Sequence, residues 1–171
     1  MLYLVLAVLI VSAGCSPQPR ADLVFLNGAE PETLDPALIT GQPEGRVTNA
    51  LFEGLLTFDQ SGKPQPGMAE SWTVSEDGRI YTFTLREGLT WSDGTPLTAR
   101  DFVESWRRTL DPATASEYAY QLHYIKNARA FNEGKSADFS QVGVSAPDEQ
   151  TLRVELENPT PFFADLCAFV T

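Results

Sequence analysis

The sequence is poor in the residues that build metal centres and disulfide frameworks. Its 171 residues include only two cysteines, Cys15 and Cys167, and one histidine, His123. Two cysteines cannot supply a framework of several disulfides, and one histidine without a cysteine at ligand spacing does not indicate a zinc site. We therefore predict no metal site, and we expect His123 to be either a surface residue or a hydrogen-bonded one.

Basic residues are also scarce. Lys and Arg number 12 against 23 Asp and Glu, which gives a formal net charge of −11 at pH 7. Such a chain repels polyanions, so we exclude nucleic acid and anionic bilayer surfaces as targets. An acidic excess also occurs for solubility alone and indicates no particular partner.

Motifs for catalysis or cofactor binding are missing as well. The sequence contains no Gly-x-Ser-x-Gly elbow, no phosphate-cradling loop and no dinucleotide fingerprint. The acidic pairs Glu30 with Glu32 and Asp148 with Glu149 stand in turn-rich segments, where carboxylates usually face water. We therefore predict neither an enzyme nor a cofactor, and a cell-envelope hydrolase is disfavoured.

The first fifteen residues differ from the rest. Residues 1–11 are almost wholly apolar, and Ser12, Ala13 and Gly14 precede Cys15. A bilayer core of ~30 Å needs a helix of ~20 residues, so this run predicts export rather than a membrane span. We interpret residues 1–15 as a lipoprotein-type signal peptide with Cys15 as the lipidated residue, although no Lys or Arg precedes the run. A buried amino-terminal strand or helix is the alternative. Residues 16–22 contain two prolines and predict a flexible tether.

Hydrophobic periodicity predicts the elements of a mixed α and β domain that begins near Leu23. Residues 23–26 form a short apolar run typical of a buried strand. Residues 47–56 predict a helix, because apolar residues recur at helical spacing. Residues 72–74 and 79–86 predict two strands of a hairpin, and Tyr81, Phe83 and Leu85 alternate with threonines as in a half-buried strand.

The second half of the chain has equally clear patterns. Thr98 with Asp101 predicts a capping box at the start of a helix that ends at Asp111-Pro112. Gly134 predicts the end of a later helix. A second hairpin and a final helix that begins at Phe162 and buries Cys167 complete the prediction. The hairpin is indicated by Val142 and Val144 before Ala146–Glu149 and by Leu152, Val154 and Leu156 after it.

Several motifs stand in an order that resembles one known family. They are Glu32–Pro36 (ETLDP), Leu51–Leu55 (LFEGL), Gly88–Trp106 (GLTWSDGTPLTARDFVESW) and the second hairpin. In this order they are similar to the extracytoplasmic peptide-binding proteins of ABC importers, the oligopeptide- and dipeptide-binding group. The resemblance implies a periplasmic-binding-protein-like fold of mixed helices and strands, and a protein that captures ligands and catalyses nothing.

The resemblance also implies a division into lobes. Residues 23–52 correspond to the first segment of a large split lobe, and residues 53–171 correspond to an inserted small lobe that returns toward the large lobe at its end. Because members of that family are much longer, we expect this sequence to be an amino-terminal part. We further expect it to bind peptide weakly or not at all on its own. In that family, most of the charged groups that contact the ends of the peptide lie in parts of the protein that this sequence does not include.

Four residues match ligand contacts of that family. Thr40, Gly41 and Gln42 lie in the loop Ile39–Pro43, which aligns with a clamp that runs antiparallel to the peptide backbone. Thr40 stands where the best-known members have an acidic residue, but main-chain hydrogen bonds tolerate such a change. Tyr118 matches a tyrosine that faces the cleft. Alternatively, Tyr118 is a core residue that shares a helical face with Leu122 and Ile125.

The function implied by the resemblance is capture of extracytoplasmic peptides, above all oligopeptides, and delivery to the permease subunits of an ABC importer. The expected protein is a monomer in the periplasm or anchored to the cell membrane through lipid on Cys15. Two alternatives stay open. The ligand could be a dipeptide, a nickel complex, an opine or a short sugar, or the chain could be a truncated lipoprotein without a role in transport.

Overall fold

Two antiparallel sheets organise the computed structural model, which describes residues 24–169. The smaller sheet pairs β1 (Leu56–Phe58) with β2 (Pro64–Pro66). The larger sheet has four strands in the order β3, β4, β6, β5. These strands are β3 (Ala69–Val74), β4 (Ile80–Leu85), β5 (Val144–Ser145) and β6 (Thr151–Glu155).

Within residues 24–169, four α-helices and three short 3₁₀ helices accompany the sheets. Helix α2 packs on the larger sheet and buries Trp106 and Leu110. The α-helices are α1 (Gln42–Leu51), α2 (Ala99–Leu110), α3 (Ala128–Asn132) and α4 (Phe163–Cys167). The 3₁₀ helices are Pro112–Thr114, Ala119–Leu122 and Phe139–Gln141.

The core lies on one face of the larger sheet. Tyr81, Phe83 and Leu85 of β4 are buried, whereas the residues between them are partly exposed. On β6, Val154 lies opposite Tyr81 and Leu152 lies opposite Phe83. Because side chains alternate between the two faces of a strand, these residues all point to the same side. The predicted period-two pattern is therefore confirmed in both strands.

The start of α2 has the predicted capping arrangement. The carboxylate of Asp101 accepts hydrogen bonds from the backbone N–H of Thr98 at 2.7 Å and from its hydroxyl at 2.9 Å. The carboxylate also lies in the first turn, where negative charge is favourable for the helix dipole. Asp101 therefore fixes where α2 begins.

Replacing Asp101 with asparagine is expected to lower the free energy of unfolding by about 1 kcal/mol, the usual size of a lost cap. The amide is uncharged and stabilises neither the helix dipole nor the Thr98 N–H as well as the carboxylate does. Chemical denaturation followed by circular dichroism measures the change. Glu104→Gln is the matched control, because Glu104 lies on the same helix with its side chain 65% exposed. Equal losses in the two variants would contradict the assignment.

The predicted boundaries of the first helix were wrong. Helix α1 begins at Gln42 instead of Val47 and ends at Leu51 instead of Leu56. It starts early because Pro43 suits the first turn of a helix, where no backbone N–H is needed. It ends early because Phe52 is extended, and Leu56 pairs with Pro66 in β1. The apolar periodicity thus ran from a helix into a strand.

Two other predicted elements also differ. Val24, Phe25 and Leu26 form no strand and are 72%, 66% and 86% exposed, because no strand in the described part of the chain pairs with them. The helical face that was to join Tyr118 to Ile125 is replaced by the short 3₁₀ helix Ala119–Leu122. The strands that pair in the larger sheet and the capped helix α2, by contrast, form as the sequence predicted.

The predicted signal peptide (residues 1–15), Cys15 and the predicted tether (residues 16–22) lie outside the described residues. Within residues 24–169, no helix has the length and apolar character that crossing a membrane requires.

Candidate functional site

The candidate site is the segment Pro31–Gly41, which we call the ligand loop, together with Tyr118. The Tyr118 hydroxyl donates a hydrogen bond to the backbone carbonyl of Thr40 at 3.2 Å, although the two residues are 78 positions apart. Thr40 is exposed and Tyr118 is half-buried. The structure therefore brings together two residues that the sequence singled out separately.

Tyr118 lies at the edge of the core. Leu122 and Ile125 are buried at 5% and 0% exposure, whereas the Tyr118 ring lies beside the exposed ring of Tyr120, with centroids 6.0 Å apart. The alternative interpretation placed Tyr118 on one helical face with those two core residues. The observed position leaves the Tyr118 ring partly open to solvent, where it can contact a ligand.

Gly41 has no room for a side chain. It precedes the first turn of α1 with an extended backbone (φ −110°, ψ 165°), a conformation open to any residue. A Cβ atom placed on it would lie 2.3 Å from Oε2 of Glu44. A side chain at position 41 would therefore displace the Glu44 carboxylate.

Glu44 joins the beginning of the ligand loop to the first turn of α1, which follows the loop. It is only 5% exposed, and its Oε1 accepts the backbone N–H of Glu32 at 2.9 Å. Hydrogen bonds from backbone N–H groups, chiefly that of Glu32, lower the pKa of the Glu44 carboxyl. The carboxylate therefore stays charged in the first turn of α1, where the helix dipole favours it.

Glu44 was not predicted as a site residue, although a signal was present. A glutamate three residues after the residue that immediately precedes a helix, here Gly41, is typical of capping arrangements. The prediction placed Gln42 and Pro43 in the loop, which hid that spacing. Gln42 is instead the first residue of α1, and its side-chain oxygen lies 3.4 Å from Arg46 of the same helix.

An ion pair connects the ligand loop to α2. The guanidinium of Arg108 faces the carboxylate of Asp35 with both terminal nitrogens, and Nη1 lies 2.7 Å from Oδ1 while Nη2 pairs with Oδ2. The hydrogen bond from Arg108 is the main cause that lowers the pKa of Asp35. Sequence patterns could not reveal this pair, because the two residues are 73 positions apart.

An apolar cavity of about 480 Å³ lies between the end of α1, α2 and α4, and Pro36 of the ligand loop also lines it. Its wall includes Leu51, Phe52, Trp91, Phe102 and Phe169, and it includes none of the four predicted site residues. Leu51 is 61% exposed, so the predicted apolar face of α1 is largely uncovered in the described part of the chain.

His123 and Cys167 have the structural roles expected of them. A ring nitrogen of His123 lies 2.9 Å from the side-chain oxygen of Asn132, which makes His123 a hydrogen-bonded residue. Cys167 is 7% exposed, and burial raises the pKa of its thiol far above the usual range. Within residues 24–169, no group of three or more His, Cys, Asp or Glu side chains could hold a metal ion.

Comparison with known families decides the classification. Residues 63–171 match the family described as bacterial extracellular solute-binding proteins, family 5, middle. The chain belongs to this family. The family match confirms the resemblance, and the solved relatives named below confirm the periplasmic-binding-protein-like fold. Relatives of the chain are proteins of the periplasm or the cell exterior.

Relatives of this solute-binding family resemble the chain over most of its length. The oligopeptide-binding protein OppA of Bacillus subtilis is 48% identical over 83% of the chain. The solved murein tripeptide binding protein MppA of Escherichia coli is 47% identical over 81% of the chain, with a TM-score of 0.78. OppA of Haemophilus influenzae, solved in complex with the peptide RPPGFSPFR, is 44% identical over 82% of the chain, with a TM-score of 0.77.

The solute-binding relatives are much longer than this chain. The chain spans 26% of the Bacillus subtilis protein and 27% and 29% of the two solved chains. The described residues thus correspond to about a quarter of a whole relative.

Proposed function

We propose that the chain belongs to the substrate-binding component of an ABC importer, which captures extracytoplasmic peptides and delivers them to the membrane permease. Family membership supports a solute-binding role, and the relatives named above bind oligopeptides or a murein tripeptide by name. The observation that carries the proposal for this chain is the 3.2 Å hydrogen bond from the Tyr118 hydroxyl to the backbone carbonyl of Thr40. Oligopeptides are the proposed ligands.

In this proposal the ligand's backbone pairs with the main chain around Thr40 and Gly41. A carbonyl oxygen has two lone pairs, and Tyr118 takes one at Thr40, which leaves one for a ligand N–H. Gly41 is exposed and carries no side chain, so an extended peptide can approach its backbone closely. Main-chain pairing of this kind gives affinity without reading most side chains. Gln42, in the first turn of α1, lies at the end of this surface.

The proposal involves no catalytic step and no cofactor. Binding is completed when lobes close over the ligand, because polar bonds strengthen once water is excluded. We place residues 23–52 in the large lobe and residues 53–171 in the inserted small lobe, which returns toward the large lobe at its end. Lipid on Cys15 would hold the protein at the cell membrane, and the protein would act as a monomer that docks on the permease.

The experiment is an NMR titration of the isotope-labelled protein with RPPGFSPFR, the peptide present in one solved relative. NMR detects weak binding, which is what we expect when a quarter of the relatives' length is present. Amide signals of Thr40, Gly41 and Gln42 and the ring signals of Tyr118 should move together. Tyr118→Phe should weaken binding two- to tenfold, because it removes the hydrogen bond, worth about 0.5–1.5 kcal/mol, that holds the Thr40 carbonyl in place for the ligand.

Tyr120→Phe is the matched control for this titration, because that ring is 57% exposed and lies beside Tyr118. It should bind peptide as the unchanged protein does. Signals that move only around the apolar cavity of α1, α2 and α4 would contradict the proposed site. If a dipeptide, a nickel complex, an opine or a short sugar moves these NMR signals more than the oligopeptide does, that solute is the ligand instead.

A further inference from the structure

The contact between Asp35 and Arg108 joins two parts of the chain that carry the candidate site. Asp35 lies in the ligand loop five residues before Thr40, and Arg108 lies in the last turn of α2. The segment that leaves α2 leads through the 3₁₀ helix Pro112–Thr114 to Tyr118. One continuous segment, Arg108–Tyr118, therefore holds the loop at two points, Asp35 and Thr40.

Asp35 also shapes the loop from within. Its Oδ1 accepts the backbone N–H of Ala37 at 3.1 Å, and its carbonyl accepts the N–H of Leu38 at 2.9 Å. These bonds make a tight turn that buries Ala37 and Ile39, at 8% and 7% exposure. Whatever holds the Asp35 carboxylate therefore holds the turn that leads directly to Thr40.

We propose that Arg108 is a positioning residue for the ligand loop: by holding Asp35, it places the Thr40 carbonyl within reach of Tyr118. The inference deepens the proposed function, on which its significance for ligand capture rests. The side-chain contacts of Arg108 are with Asp35, and Arg108 acts on Thr40 through that residue. Arginine suits this role because its planar guanidinium faces both oxygens of a carboxylate and resists rotation.

The sequence offers a close control at the preceding position. Arg107 pairs with Glu104 at 2.9 Å, one turn away on the same helix, and both side chains are more than half exposed. Removing Arg107 changes the same amount of charge and the same helix turn, and it leaves the ligand loop untouched. Arg108→Lys is the conservative variant, which keeps the positive charge but lacks the two terminal nitrogens that face the carboxylate of Asp35.

The test uses amide hydrogen exchange and NMR shifts of the protein without ligand. In Arg108→Met, the Leu38 amide should exchange at least tenfold faster, and the Gly41 amide signal should move in the direction that Tyr118→Phe produces. Arg107→Met should match the unchanged protein in both measurements, and Arg108→Lys should fall between them. The Phe83 amide, in the core of β4, should keep its exchange rate in all variants, because a general loss of stability would accelerate it as well.

Asp35→Asn provides the second half of a double-mutant cycle. If Arg108 acts through Asp35, adding Arg108→Met to Asp35→Asn should accelerate Leu38 exchange less than twofold further. Additive effects of the two substitutions would overturn the proposal, and so would a Gly41 signal that does not move in Arg108→Met. Peptide binding is not needed for these measurements, so failure of the titration with RPPGFSPFR would count against the proposed function alone.

Discussion

Replacing Phe163 with alanine is expected to lower the free energy of unfolding by about 3–5 kcal/mol, the usual cost of emptying a buried aromatic site. Phe163 is 1% exposed and lies between two other aromatic rings. Its centroid is 5.1 Å from that of Tyr81 on β4 and 6.4 Å from that of Trp106 on α2, both in edge-to-face geometry. Phe163 therefore joins α4 to the sheet and to α2 at once. Urea denaturation followed by tryptophan fluorescence measures the loss.

Phe162→Ala is the matched control for Phe163→Ala. Phe162 is 47% exposed and contacts Tyr124 at a centroid distance of 5.2 Å. Its removal should cost less than about 1.5 kcal/mol, since only a partly exposed aromatic pair is lost. A loss as large as that of Phe163→Ala would show that the neighbouring ring carries the core contact instead.

Replacing Gly41 with alanine is expected to lower the free energy of unfolding by about 1–3 kcal/mol, the usual cost of forcing an extra group into occupied space. The new methyl group would meet Oε2 of Glu44 at 2.3 Å and push the carboxylate away from the N–H of Glu32. The beginning of the ligand loop would then lose its hydrogen bond to α1. Thermal denaturation measures the stability, and amide exchange at Glu32 reports the lost bond.

Two further variants isolate the cause of the Gly41→Ala effect. Gly45→Ala adds a methyl group in the same helix where nothing lies within 4 Å of the new atom. That substitution should stabilise the protein by about 0.5–1 kcal/mol, because alanine favours helix more than glycine does. In a Glu44→Ala background, Gly41→Ala should become neutral or stabilising, since the obstructing carboxylate is gone. If it is equally harmful in both backgrounds, Glu44 is not the cause.

Patterns enforced by near neighbours were predictable from the sequence. The alternation of β4 and the Thr98–Asp101 cap follow from residues a few positions apart, and both are confirmed. Helix α1 was misplaced because Leu55 belongs to the core, at 2% exposure, although the helix has already ended at Leu51. A buried leucine carries no mark of whether a helix or an extended segment presents it.

The candidate site was predictable as residues and not as geometry. The resemblance singled out Thr40 and Tyr118, and only the fold shows that the tyrosine donates to the threonine carbonyl. The pair of Asp35 with Arg108 depends on the path of the chain through α2, so no local pattern could indicate it. Glu44 was within reach of sequence reasoning once the start of α1 was known.

Under the proposed function, the hydrogen bond from the Tyr118 hydroxyl to the Thr40 carbonyl has a consequence for ligand selectivity. A segment that already has its bound conformation loses little conformational entropy when a ligand binds, so modest contacts are enough to hold that ligand. Preorganisation of this kind favours a broad range of ligands, because peptides of different side-chain composition all benefit from it equally. Discrimination among ligands then depends on the surfaces of the lobes that close over them.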